Sequence, residues 1–305
     1  MGAEREIHPD FDRPHVALLV NEAISKLAPF SALILTIVLM IFFFVRYYIF
    51  ESFLMRKYYG ETYLQLNEVN RRGFVNHHIA GGAKIVMLVV CIYPFIAVTF
   101  GTSTMHSSFA GSSIVTMGDI LIIVNQIFIA MYIFELFFRA KLSPVAVCHH
   151  VGAVMIAQSA VAIGLNWEHE RDATIEFILC FVWGAFDIVA EFWPHVAIVL
   201  YRVYPNDHKF LIKVFRFSCI STFAGTVIET ITVMWLFGSL WSRWTLPFRV
   251  VTPILHIVFS AAQIWGSWNF RCMWVKQKKL LREQEKDEEQ STQAVATSPY
   301  RRPEK

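Results

Sequence analysis

Two adjacent histidines, His149 and His150, interrupt the apolar run SPVAVCHHVGAVMIAQSAVAIG, and two acids, Asp187 and Glu191, interrupt the run WGAFDIVAEFWPHVAIVLYR. Imidazole gains and loses a proton near neutral pH, and a carboxylate facing its ring orients it and raises its basicity. Asp187 and Glu191 stand at i and i+4, which puts both on one face of a helix. A histidine on one helix facing those acids on the next is the arrangement of a general base, or of a nucleophile that carries an acyl group for a time. The same residue types are metal ligands. Neighbouring positions on a helix point about 100° apart, however, so His149 and His150 do not readily close on one ion, and no metal or other cofactor is expected.

The elements that must position these groups are membrane helices. Of the 305 residues, 55% are hydrophobic and 17% charged, with 27 Phe and 9 Trp. A soluble domain carries about a quarter of its residues charged, and one of this size would leave large apolar patches in water. The net charge of +3 is too small for a nucleic-acid footprint. Seven stretches, near 29–49, 82–101, 117–138, 144–164, 174–200, 211–238 and 248–274, approach or exceed the ~20 apolar residues that cross a ~30 Å hydrocarbon core. The fold class is therefore all-α, a polytopic bundle of about seven transmembrane helices. Ser143 followed by Pro144 marks the start of the fourth span. At 1.5 Å per residue the histidine pair lies ~10 Å inside that end, and Asp187 and Glu191 lie ~21 and ~15 Å from the Tyr201 end of the next span, so all four share one half of the bundle.

Basic residues alternate between the connections. Arg46, Arg56, Lys57, Arg71, Arg72 and Lys84 follow the first span; Arg139 and Lys141 follow the third; Arg202, Lys209, Lys213 and Arg216 follow the fifth; Arg271, Lys276, Lys278, Lys279 and Arg282 follow the seventh. The opposite loops, 102–116, 165–173 and 239–247, carry almost none. The positive-inside rule then predicts a luminal N-terminus and a cytosolic C-terminus. The N-terminus lacks the basic-then-apolar order of a signal peptide and the pattern of a myristoylation site. Cys91, Cys148, Cys180, Cys219 and Cys272 are scattered through apolar stretches and read as small buried hydrophobes rather than as a disulfide or zinc framework.

Other ionisable residues in the spans have simpler expected roles. Glu135 and Arg139, at i and i+4, suit an interfacial salt bridge. Glu229 and His256 fall toward the luminal side and suit a clamp between two helices. His77 and His78 precede the second span in a basic loop and are expected at the interface. Trp183, Trp193, Trp235, Trp241 and Trp244 suit belts and packing.

Three segments together, FELFFRAKLSP (134–144), HHVG (149–152) and DIVAE (187–191), resemble the TLC-domain family, the membrane superfamily that includes the ceramide synthases. The resemblance covers roughly residues 70–275 and rests on the order of the motifs. It implies an N-acyltransferase-like chemistry that moves a fatty acyl group from acyl-CoA to an amine-bearing lipid. By position His149, His150, Asp187 and Glu191 are then the catalytic set; for such a reaction Arg139 and Lys141, as basic residues on the cytosolic side, are expected to attract the phosphates of acyl-CoA, and Glu135 and Trp183 are the further candidates for substrate contact. Gly184 stands where ceramide synthases have a further aspartate, and no homeodomain-like insert follows the first span, which places the chain nearer to the broader TLC-domain proteins. On this basis the chain divides into a luminal segment 1–28, a first helix with a basic cytosolic loop 29–69, a TLC-like membrane domain 70–275 and a charged, disordered tail 276–305 that begins as a helical extension. The resemblance places the protein in the endoplasmic reticulum, with membrane lipids, acyl-CoA as co-substrate and a second copy in a homodimer as the partners to consider.

A noncatalytic protein that binds, senses or carries lipid would use the same polar pocket for a head group, and Gly184 favours that alternative. A retinal protein is excluded, because the last span has no lysine for a Schiff base. The signatures of a common seven-helix receptor are absent as well. Pro94, Pro194 and Pro253 interrupt spans as in transporters, but no internal repeat accompanies them.

Overall fold

The computed structural model describes residues 14–297, with side chains through residue 293. Of the described residues 81% are helical, and none lies in a strand. Among the described residues eight α-helices run in order: α1 (Ser31–Phe44), α2 (Met55–Leu64), α3 (Glu68–Thr99), α4 (Met117–Phe138), α5 (Pro144–Leu165), α6 (Ala173–Val203), α7 (His208–Ser239) and α8 (Leu246–Thr297). A π-helical stretch, Val45–Leu54, joins α1 to α2, so Ala28–Leu64 forms one helical rod with a kink at Gly60, where φ is 45° and ψ −123°. Seven of the resulting helices are long and apolar enough to cross a membrane, which makes this a multi-pass membrane protein by length and composition.

Local chemistry explains most boundaries. Asn67 caps α3 by accepting from Asn70 N–H at 2.9 Å, and Thr116 with Asp119 forms a reciprocal capping box at α4. Ser143 caps α5 with Pro144 at its first position, as the sequence predicts. Asp207 caps α7 by accepting from Phe210 N–H at 3.0 Å. In the π stretch each turn holds an extra residue, which brings Arg46 Nε within 3.1 Å of Glu51 five positions on.

The first connection differs from expectation. The residues read as a basic loop after the first span are helical up to Leu64, and α3 already begins at Glu68, well before position 82. The apolar helix continues because nothing terminates it before Gly60, where the backbone kinks, and the last turn then ends at Leu64. His77, His78 and Lys84 are consequently residues of a packed helix and not of a solvated loop. At the other end the charged segment continues α8 as helix to Thr297; the remainder of the expected tail, like residues 1–13 of the segment 1–28, lies outside the described residues.

α4 lies against α1, α3 and α5; α6 lies against α3, α5 and α7; α7 pairs along its length with α8, and α8 touches α5 at only a few points. α4 is the most enclosed span and the first rod the least, with Leu33, Ile37, Met40 and Phe44 facing outward. Such a band of exposed apolar side chains is what lipid, rather than water, would cover. Residues ahead of the rod run across the helix ends on one side: Asn21 Nδ2 donates to the carbonyls of Trp167 and Glu170 at 2.8 and 2.9 Å, and Ser25 Oγ donates to Asp119 at 2.6 Å. Ile24 in this strap seats against Gly118 and Gly164, where a Cβ on either would overlap it.

Candidate functional site

Three of the four residues singled out by type, His149, Asp187 and Glu191, meet in a chamber between α4, α5 and α6, and His150 lines the same chamber against Glu135. His149 Nε2 lies 3.4 Å from Glu191 Oε1 and 3.6 Å from Asp187 Oδ1. His150 turns the other way, as adjacent helical positions must, and its Nε2 lies 3.6 Å from Glu135 Oε1. Both histidines are buried, yet none of their four ring nitrogens makes an aligned hydrogen bond. Arg139 Nη1 donates to Glu135 Oε1 at 2.6 Å, the expected i,i+4 pair, and Glu135 thus links the arginine to His150.

Two residues of the chamber were missed by type and spacing. The Lys84 side chain is completely buried, and its Nζ donates to Glu191 Oε2 at 3.0 Å. It therefore belongs with the internal charges and not with the cytosolic basic residues. A lysine flanked on both sides by apolar helix (HHIAGGAKIVMLVV) was the available signal. Tyr132, 1% exposed, donates to Asp187 Oδ2 and, at 3.2 Å, to Glu191 Oε2, while its ring lies against both histidines. A tyrosine in an apolar span gives no such signal.

Three adjoining cavities follow from this arrangement. The first, of ≈350 Å³, is lined by His77, Glu135, Arg139, His149, His150 and Glu191 among others. It meets a small one of ≈50 Å³, holding Asp187, Gly184 and Glu229, across Gln263. That in turn meets an apolar cavity of ≈460 Å³ across Ile156, Cys180 and Trp183. The apolar cavity spans Gly152 to Ile163 along α5, ~16 Å of helix.

Of the expected substrate contacts, Glu135 and Arg139 line the first cavity and Trp183 the other two, whereas Lys141 is exposed beside α5 and outside the lining. Trp183 is more than packing: it stacks on His256 with ring centroids 5.7 Å apart and donates from Nε1 to His256 Nδ1 at 3.0 Å. The expected Glu229–His256 pair is absent. Glu229 instead accepts from Gln263 Nε2 at 2.9 Å, and His256 Nε2 meets Thr230 Oγ1 at 3.1 Å, because α8 offers Gln263 nearly two turns beyond His256 at the level of Glu229. His77 and His78 likewise have inward partners: His77 Nδ1 lies 2.9 Å from His195 Nδ1, and His78 Nε2 lies 2.8 Å from the Tyr59 hydroxyl.

Fold and site together define an all-helical, multi-pass membrane protein with a buried cluster of titratable side chains. No family model, no curated protein and no solved structure matches the chain.

Proposed function

We propose that the protein is a TLC-like lipid acyltransferase of the membrane interior, transferring a fatty acyl group from acyl-CoA to an amine-bearing lipid. The observation that carries the proposal is the set of unpartnered ring nitrogens of His149 and His150 at the wall of the ≈350 Å³ cavity, each histidine with a carboxylate within 3.6 Å. The lipid amine attacks the thioester carbonyl carbon and forms the C–N bond, a histidine takes the amine proton, the C–S bond breaks, and the histidine passes that proton to the departing sulfur so that coenzyme A leaves as the thiol. His150 is the better placed base, since Glu135 orients it and Arg139 beside it offers a cation to the coenzyme phosphates. The alternation of basic residues supports a cytosolic position for this cavity, with the N-terminus luminal and the C-terminus cytosolic, and the resemblance to TLC-domain proteins supports an endoplasmic reticulum membrane.

Lipid mass spectrometry on purified protein supplied with acyl-CoA and a long-chain amine tests the proposal. Wild type should form the N-acyl product, and His150→Ala should lose it by at least ~100-fold while eluting as folded protein, the usual weight of a general base. Product formation unchanged in His150→Ala, or absent from folded wild type, would sink the assignment. A noncatalytic lipid-binding role is the second reading. The ≈460 Å³ apolar cavity favours it, as does Gly184 in place of the acid found in ceramide synthases. Lipid that copurifies with the protein and never turns over would decide for it.

A further inference from the structure

We infer that His149 Nε2, Asp187 Oδ1 and Glu191 Oε1 are three ligands of one divalent transition-metal ion, with a fourth position open to the ≈350 Å³ cavity. The inference stands on the geometry of the cluster and does not depend on acyl transfer. Ligand atoms of this residue set lie within 4.8 Å of one another. Two ligands on a tetrahedral ion, with bonds of about 2.0–2.2 Å, are separated by about 3.3–3.6 Å. The measured separations from His149 Nε2 are 3.4 Å to Glu191 and 3.6 Å to Asp187. A charged imidazole bonded directly to a carboxylate closes to about 2.7–2.9 Å along the N–H axis, and neither contact does so.

What the remaining oxygens do supports the same assignment. Asp187 Oδ2 accepts from Tyr132, and Glu191 Oε2 accepts from Lys84 and Tyr132. The outer oxygen of each acid is thus held by a neighbour, as happens to carboxylates that ligate through the other oxygen. The inner atoms have no such tie: His149 Nε2 and Asp187 Oδ1 are buried without a hydrogen bond, in side chains only 6% and 9% exposed. Leaving two such atoms unsatisfied is costly, and a cation between them removes the cost.

Charge and ligand type narrow the guest. With neutral His149, the two acids and Lys84 sum to one negative charge; a divalent ion turns this to one positive, which a hydroxide or other anionic oxygen in the fourth position cancels. One imidazole and two carboxylates suit Zn²⁺ or Mn²⁺, whereas Ca²⁺ and Mg²⁺ ask for six or more oxygens. His149 reaches the ion without His150, which faces Glu135. The open position accepts water or a lipid carbonyl oxygen arriving through the cavity.

The test uses the full chain, purified in detergent through a tag without histidines, stripped with a chelator and resupplied with Zn²⁺ or Co²⁺. Elemental analysis should find about one equivalent per chain, and the Co²⁺ form should show visible ligand-field bands of a four-coordinate site. His149→Ala and the isosteric Asp187→Asn should each weaken binding at least ~10-fold, while His150→Ala retains it. Folded wild type that takes up no ion, metal retained in both ligand variants, or equal loss in His150→Ala would overturn the inference. The wild-type measurement decides even where a variant fails to fold. Metal without acyl transfer would sink only the transferase proposal, and transfer without metal only this one.

Discussion

α5 and α6 run side by side and build two different interiors from their two halves. Where the first residues of α5 meet the second half of α6, the facing side chains are His149, His150, Asp187 and Glu191, and polar groups from α3 and α4 complete them. Where the later residues of α5 meet the first half of α6, the facing side chains are Ile156, Ala160, Ile163, Leu179 and Cys180, around an empty apolar volume. Both halves enclose a cavity, but the charged half is cross-linked by polar contacts and the apolar half is not. Charges withdrawn from water persist only when each finds partners, so the acids there are tied to Lys84, Arg139 and Tyr132, while the apolar walls are held by packing alone.

The largest expected effect breaks the charged half. Lys84→Met removes the cation against which Glu191 is held and should lower stability by about 3 kcal/mol or more, the usual result of stripping one partner from a buried ion pair. Thermal unfolding in detergent reads it, and a loss no larger than that of Arg139→Met would show that burial of Lys84 carries little energy. A smaller effect is expected in the apolar half. Leu255→Trp extends a half-buried side chain into the ≈460 Å³ cavity and should cut copurifying lipid several-fold by native mass spectrometry, with a stability change within about 1–3 kcal/mol. Undiminished lipid would mean that the cavity is not where lipid sits. The smallest effect lies on the boundary. A Cβ at Gly184 would meet only the Phe128 ring, at 3.9 Å, so Gly184→Ala should raise stability by roughly 0.5–1 kcal/mol through helix propensity. A loss instead would mean that the small cavity beside Asp187 needs its full width.

This contrast also marks what could be read from the sequence. The spans were legible because apolar length has no other outlet, and the meeting of His149 with Asp187 and Glu191 was legible because these costly groups fell at similar depths; that His150 would face Glu135 was not. Lys84 was not, since in one dimension it continues a series of basic residues that ends in solvent. Glu229 was assigned to His256 because both are ionisable, whereas the helix register gave it Gln263, a neutral amide. The first rod ran past its expected end for a related reason: hydropathy reports where lipid contact stops, and a helix continues until something breaks its backbone hydrogen bonds.

The sparse contact between α5 and α8 has a consequence for concentration. Both helices line the apolar cavity, and a guest slipping sideways between them would come straight from the bilayer without ever being dissolved in the aqueous phase. Occupancy would then follow the guest's mole fraction among its neighbouring lipids. Dilution of the sample with buffer would leave it unchanged, and dilution with inert lipid would empty it.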